Sequence, residues 1–425
     1  MNTNHKRRFL GFIGNFLEHY DNALFGLLAP FLAPLFFPQT DPFTALILTY
    51  GMLPLGFISR PLGALFFGWI GDRFSYNQAL FCSLTGMAIV SISIGSLPLY
   101  KDIGVYAPLL LALGRMLQSF CSAGEISGGA IFVLESTPAA QKGFMSSLYD
   151  SSTVAGILVA SGLVTLLSSY NVILDFWRYL YWLGGLTAVI GIYLRLVVSK
   201  TNEKFSESNS TSKNWLQILI LHRGVLFKII LASGYSYTTY AMSFTLMNGF
   251  IPLITTFSKI EVMQINTFLL ILDMLLLPCF GYLANKIGKD LLMFCGALCS
   301  TLSALPLFLS LENATLTNLL FIRLAIIMPG IAFSAPYYAW SLEKIPHPHR
   351  YLILAFGSAV GTQLVGTSSS SICLWLYQIT DWSAAPAFYL MSVGFAACFV
   401  TFPSFLKQNK HKIQSKKALK FNLIS

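Results

Sequence analysis

Charge is scarce in this chain: only 10% of its 425 residues are Asp, Glu, Lys or Arg, against about 25% in soluble domains. So few charges cannot cover the surface of a water-soluble fold of this length, which excludes a soluble multidomain enzyme. Disorder is excluded as well, because 14% of the residues are aromatic, the opposite of its compositional signature. The seven cysteines (Cys82, Cys121, Cys279, Cys295, Cys299, Cys373, Cys398) all lie in apolar tracts. With no CxxC pair and no Cys/His cluster, they imply neither a disulfide framework nor a zinc site and read as buried thiols. Sustained heptads and glycine repeats are missing, which removes coiled coil and collagen. No nucleotide loop, metal cluster or nucleophile–base constellation is present, so neither an enzyme nor a cofactor is expected. What is present is apolar. With 55% hydrophobic residues and a mean hydropathy of +0.66, the chain has the composition of a polytopic membrane protein.

Apolar runs of about 20 residues, long enough to cross a bilayer, recur near 12–34, 44–69, 79–98, 106–128, 146–168 and 177–198. After a polar stretch they resume near 225–247, 264–284, 291–309, 318–340, 351–376 and 386–406. The pattern predicts an all-α polytopic protein of twelve transmembrane helices in two sets of six. It divides the chain into a bundle over 1–198, a central loop over 199–224, a second bundle over 225–406 and a basic tail over 407–425. The basic start, Met1 to Arg8, could mimic a signal peptide, but the run behind it holds Glu18 and Asp21 and shows no small-residue cleavage site. It reads as a retained first helix.

With both termini on one side, 21 of the 27 Lys and Arg residues fall on that side, and only Lys101, Arg178 and Lys259 on the other. By the positive-inside rule the first side is the cytoplasm. The net charge of +10 is therefore a topology signal, and nucleic acid is not expected as a partner. The segment Ser199–Asn214 is polar and helix-poor, a flexible linker. From Trp215 to Leu221 an apolar run suited to a membrane surface follows.

The two sets of six echo one another. Gly68-x-x-x-Asp72-Arg73 is answered by Gly281-x-x-x-Asn285-Lys286, Glu135-x-x-Pro138 by Glu343-x-x-Pro346, and Arg115 by Arg323. The offsets, 213, 208 and 208, agree closely for a chain so poor in charge. Parallel six-helix repeats with a binding site between them near the midplane are a known transporter design.

Specific stretches carry a family resemblance. Gly14-Asn15-x-x-Glu18-x-Tyr20-Asp21 is followed by Arg60-Pro61-Leu62-Gly63 running into Gly68-x-x-Gly71-Asp72-Arg73. Next come Arg115-x-x-Gln118-x-x-x-Ala123-Gly124-Glu125 and Glu135-x-x-Pro138 before Lys142-Gly143. Through these residues the chain resembles the major facilitator superfamily, and within it the metabolite:proton symporters typified by proline/betaine, citrate and 2-oxoglutarate carriers. The resemblance covers most of residues 10–200, while the second half matches only at superfamily level. It implies the twelve-helix fold, alternating access, a small-molecule substrate and proton coupling in a bacterial inner membrane. The chain departs from the pattern at His19 and Asn22, where aromatics are usual, and at Ser75-Tyr76-Asn77. It departs again at Asn285, which replaces an aspartate, and at Asp150, an unexpected acid in span five.

An ionisable group at mid-membrane costs about 2.5–3.5 kcal/mol even on the lenient insertion scale, so it needs a wet cavity or a partner. At about 1.5 Å rise per residue, Glu18 and Asp21 lie some 10–16 Å into span one and share a face. On the same scale Arg60 sits roughly 18 Å above Asp72, Arg115 about 13 Å below the outer surface, and Asp273 near the middle of span eight. Arginine stays charged and grips a carboxylate through paired hydrogen bonds. Arg60 and Arg115, with Gln118 beside them, are thus the candidates for a substrate carboxylate or a gating ion pair. A desolvated carboxyl suits a reversible proton carrier, with Asp21 first, then Glu18, then Asp273. The competing reading is a set of structural salt bridges. His19 could relay protons, although its sequence neighbours point to other faces. Asp150, one turn inside the cytoplasmic edge, reads as structural.

The element Gly68–Asp72–Arg73 caps span two, where glycine admits close helix approach and Asp72 can pair with a neighbouring helix end or Lys142. The resemblance implies that it stabilises the outward-facing state. Glu125 and Glu135 join the same charge network, and Gly281, Asn285 and Lys286 form its counterpart. In span seven, Tyr237 and Tyr240 share a face suited to an ammonium group or to helix–helix hydrogen bonds. Tyr337, Tyr338 and Trp340 read as interfacial anchors. These features suit a proton-coupled symporter of a small carboxylate or zwitterion, functional as a monomer. Drug or siderophore efflux by the same fold, and a transport-dead sensor, are the alternatives.

Overall fold

The computed structural model describes residues 3–40, 48–49, 52, 55–199, 215–312 and 314–402. Most of the expected linker, from 200 to 214, and the basic tail lie outside those residues. The described residues contain no strand. Twelve long helices follow in chain order. The first six are α1 (Thr3–Phe36), α2 (Gly56–Arg73), α3 (Tyr76–Gly95), α4 (Tyr106–Glu135), α5 (Lys142–Ser169) and α6 (Ile173–Ser199). The second six are α7 (Arg223–Ile254), α8 (Lys259–Ile287), α9 (Lys289–Leu309), α10 (Leu316–Lys344), α11 (Arg350–Thr380) and α12 (Ala385–Phe402). The short helix Trp215–Leu221 meets α7 at 84°.

Eight of these helices are long and apolar enough to cross a membrane by length and composition, or nine if the bent pair at α7 counts as one span. Among those below the threshold, the polar turn His19–Asn22 dilutes α1, and Arg60, Asp72 and Arg73 load α2.

Polar side chains start several helices. Ser75 accepts from the Gln78 amide at the start of α3, Thr315 from Asn318 at α10, and Ser258 with Glu261 forms a capping box at α8, each satisfying amides that lack an intrahelical acceptor. Two tight turns recur at related places. Phe74 and Ser75 join α2 to α3, and Gly288 joins α8 to α9 at φ 103°, a left-handed backbone that glycine adopts without steric cost.

The repeat in the sequence becomes a repeat of contacts. Helix α1 packs on α5 as α7 packs on α11, while α2 and α3 pack on α4 as α8 and α9 pack on α10. Across the halves α5 meets α8, and α11 meets α2. The face Tyr20, Leu24, Leu28 and Leu32 of α1 packs with Trp177 and Tyr181 of α6 in one core, the i, i+4 spacing of a helical stripe. Ile58, Leu302, Phe395 and Phe399 stand 68–71% exposed on the outside. Burying such a side chain is worth about 1.5–3 kcal/mol, so an outer surface of this kind requires lipid rather than water.

Candidate functional site

Helices α1, α2, α4, α5, α7, α8, α10 and α11 surround a cavity of about 520 Å³ between the halves. Arg60, Arg115, Tyr237, Tyr240 and Asp273 all line it, as do His19, Asn22 and Asp150. Asp21, Glu18 and Gln118 do not reach it. They form the layer behind its wall.

Two polar clusters make up that layer. Asp21, 3% exposed, accepts from Ser91 of α3 and, at 2.5 Å, from Gln118 of α4. Gln118 in turn accepts from Arg115, whose guanidinium stacks over the Phe25 ring at 4.3 Å. Gln118, expected beside the substrate, is held behind the cavity wall. At i, i+3 from Arg115 it turns toward α1 and is held there by two partners. The second cluster surrounds Glu18, which accepts from Asn22 at 2.6 Å. His19 Nδ1 lies 2.5 Å from Glu18 Oε2 and 2.9 Å from the Asn15 carbonyl. Sequence adjacency suggested different faces for Glu18 and His19, but the long flexible glutamate side chain bends back to its neighbour.

Arg60 is the least satisfied cation at the cavity. Among the described residues its polar partners are Ser122 Oγ at 3.4 Å and Glu18 Oε1 at 3.8 Å, and its Nε has none. Arg323, the repeat partner of Arg115, is placed quite differently. It is 1% exposed and donates to the Ser243 carbonyl at 2.8 Å and to Asn266 Oδ1 at 2.5 Å. The C-terminal half thus absorbs its arginine into structure, while the N-terminal half presents Arg115 to the cavity.

Opposite the arginines stand rings and acids. Tyr237, Tyr240 and Phe244 stack along α7 with centroids 6.2 and 5.0 Å apart. A π-helical turn, Ala241–Leu246, follows Tyr240, and a second, Thr362–Thr367, interrupts α11. Both border the cavity. Such turns concentrate at functional sites, and no residue pattern in the sequence announced them.

The aromatic run of α10 is not an interfacial anchor. Trp340 is fully buried and donates to Asp290 Oδ1 at 2.7 Å. Tyr337 and Tyr338 line the cavity, with the Tyr337 hydroxyl 2.8 Å from Ser358. The helical segments of α10 are separated at Ala335–Pro336, and that break turns the run inward. Asp150 likewise lies at the cavity rather than at a helix edge.

At the basic end of the bundle the two halves are sealed by a repeated device. Asp72 of α2 accepts from the Tyr351 and Leu352 amides at 3.1 and 3.0 Å, capping the start of α11. Asn285 of α8 accepts from the Gly143 amide of α5 at 2.9 Å. A helix end is thus the observed partner of Asp72, the first of its two expected partners. A Cβ at Gly68 would lie 2.8 Å from the Leu352 Cα, so glycine is required for that approach. The Tyr351 hydroxyl reaches the Gly124 carbonyl at 2.5 Å, beside the fully buried Glu125. Glu135 meets Arg350 at 3.4 Å. Arg73 and Lys286 take no part in these contacts. Each stacks on an aromatic ring of its own helix, Trp69 at 5.2 Å and Tyr282 at 4.6 Å.

Among the described residues no group of three or more His, Cys, Asp or Glu side chains could hold a metal ion. The profile of the Major Facilitator Superfamily matches residues 11–272 and 234–422. The proline/betaine transporter of Salmonella typhimurium is 28% identical over 407 residues, 90% of this chain and 79% of that one. The shikimate transporter of Escherichia coli is 31% identical over 336 residues, 74% of this chain and 75% of that one. Among solved structures, the proton:xylose symporter XylE bound to 6-bromo-6-deoxy-D-glucose aligns with a TM-score of 0.72 at 16% identity, covering 94% of this chain and 95% of the other.

Proposed function

This chain belongs to the major facilitator superfamily of transporters, and on that footing we propose that it is a proton-coupled symporter of a small carboxylate-bearing solute. A zwitterion of the proline or betaine kind fits best, and an organic acid such as shikimate is the second candidate. One observation carries the reading. Arg60 faces the cavity in a long ion pair with Glu18 at 3.8 Å, which leaves donors of its guanidinium for a second anion. A substrate carboxylate completes its hydrogen bonds, and the ring faces of Tyr237 and Tyr240 receive an ammonium group.

Asp21 is the first proton carrier in this reading. When Asp21 is ionised, Ser91 and Gln118 hold it and Gln118 holds Arg115. Protonation removes the charge at the end of that chain, weakens its hold on Gln118 and so loosens Arg115 toward substrate. Glu18, paired with His19, follows as the second candidate. The bundles over 1–198 and 225–406 rock about the cavity, joined by the loop over 199–224, with both termini and the tail over 407–425 in the cytoplasm of a bacterial inner membrane. Asp72 on α11 and Asn285 on α5 hold the cytoplasmic end shut, and a single chain carries out the cycle. Proteoliposomes with an imposed pH gradient, given labelled proline, glycine betaine and shikimate in parallel, test the reading. Inward accumulation of one of them that a protonophore abolishes is expected. Outward-directed flux alone would favour efflux, and ligand binding without flux would favour a sensor.

A further inference from the structure

The seam between α5 and α8 ends in two acids. From the basic end upward, Asn285 caps the Gly143 amide at 2.9 Å, Gly281 packs against Ser147, and Ser151 Oγ donates to the Met274 carbonyl at 2.8 Å. The residues immediately before Ser151 and Met274 are Asp150 and Asp273. Both line the cavity, one from each half of the molecule, where the closed seam opens into it. Asp273 is 6% exposed, and among the described residues nothing donates a hydrogen bond to it or pairs with its charge. Ser334 lines the cavity with Asp150. The charged and titratable groups on the cavity wall with the two acids are His19 of α1, Arg60 of α2, Arg115 of α4, Tyr237 and Tyr240 of α7 and Tyr337 and Tyr338 of α10, with Glu18 behind His19. Of these, Arg60 and His19 are nearest Glu18.

Two carboxylates on the wall of one low-dielectric cavity, each one residue before a hydrogen-bonded contact across the same seam, repel each other when both are ionised, and each charge is costly to bury unpaired. A cation is needed, and a proton is the one that requires no space. We propose that Asp150 and Asp273 share one proton across the α5–α8 seam. The pair takes the proton up as the seam closes and releases it as the halves part, in a step separate from the one at Asp21. This rests on the alternating-access reading, but its test needs no substrate.

Spin labels on Gln141→Cys and Ile287→Cys, in a background lacking the seven native cysteines, report the closed-to-open ratio of the seam in nanodiscs. For one shared proton, the ratio falls about tenfold for each pH unit between the open-state and the closed-state pKa of the pair and is flat outside that window. Asp150→Asn and Asp273→Asn replace the shared proton with an amide donor, and each is expected to make the ratio independent of pH. Infrared difference spectra on acidification are expected to show one protonated-carboxyl band that both variants lose. An unchanged pH dependence in either variant would overturn the proposal. So would closure driven at fixed alkaline pH by sodium, because the pair would then hold a different cation. If the seam titrates but no solute is transported, the pair stands and the transport reading fails.

Discussion

The contact between α2 and α11 can be tested one side chain at a time. The first four amides of a helix have no intrahelical acceptor, and at the start of α11 the Tyr351 and Leu352 amides are held by Asp72 at 3.1 and 3.0 Å. A hydrogen bond to a charged group contributes about 1.5–3 kcal/mol, and a negative charge at a helix N-terminus adds about 0.3–1 kcal/mol. Asp72→Asn keeps one acceptor oxygen and loses the other along with the charge, so the sealed state should weaken by about 2 kcal/mol. That corresponds to a shift of roughly 30-fold in the sealed-to-open ratio. Hydrogen–deuterium exchange of the segment spanning 345–355, followed by mass spectrometry in nanodiscs, reads it directly. Exchange at 351 and 352 is expected to speed up by about that factor, and Asp72→Ala should exceed it. Arg73→Ala is the internal control, because Arg73 stacks on Trp69 and Phe74 and should leave exchange unchanged. Unaltered protection in Asp72→Asn, or an equal effect from Arg73→Ala, would refute the assignment of Asp72 as the cap that seals this end.

Three further outcomes are expected. Arg60→Ala removes the unsatisfied guanidinium at the cavity, so KM for uptake should rise by about 10- to 100-fold, equivalent to one charged hydrogen bond of about 1.5–3 kcal/mol. A KM within twofold of the parent would exclude Arg60 as the carboxylate anchor. Asp21→Asn should abolish uphill accumulation under a pH gradient while leaving substrate counterflow, and retained accumulation would rule Asp21 out as the proton carrier. Arg323→Ala strands buried acceptors around Ser243 and Asn266 at about 1–3 kcal/mol each, so thermal stability should drop with KM unaffected. A raised KM at unchanged stability would contradict the structural role given to Arg323.

Much of this protein was legible without coordinates, for physical reasons. A chain so poor in charge must use lipid as solvent, and the twelve apolar runs follow from bilayer thickness. The paired motifs at offsets of 208 and 213 fixed where the seals would lie, and Asp72 and Asn285 are found capping α11 and α5 at those places. Helical rise also gave each buried charge its depth. Rise does not set which way a side chain points or which helix faces it. Arg115 and Arg323 occupy the same place in the repeat, yet only packing separates them: Ser243 and Asn266 enclose Arg323, while Gln118 leaves Arg115 at the cavity. Asp150 seemed to belong to a helix edge, yet it lines the same cavity as Asp273 of α8, and the break at Ala335–Pro336 turned Tyr337 and Tyr338 inward. Sequence alone therefore determined the solvent and the number of helices. The tertiary structure decided which charges meet, because a partner from a distant helix is chosen by the packing of all twelve.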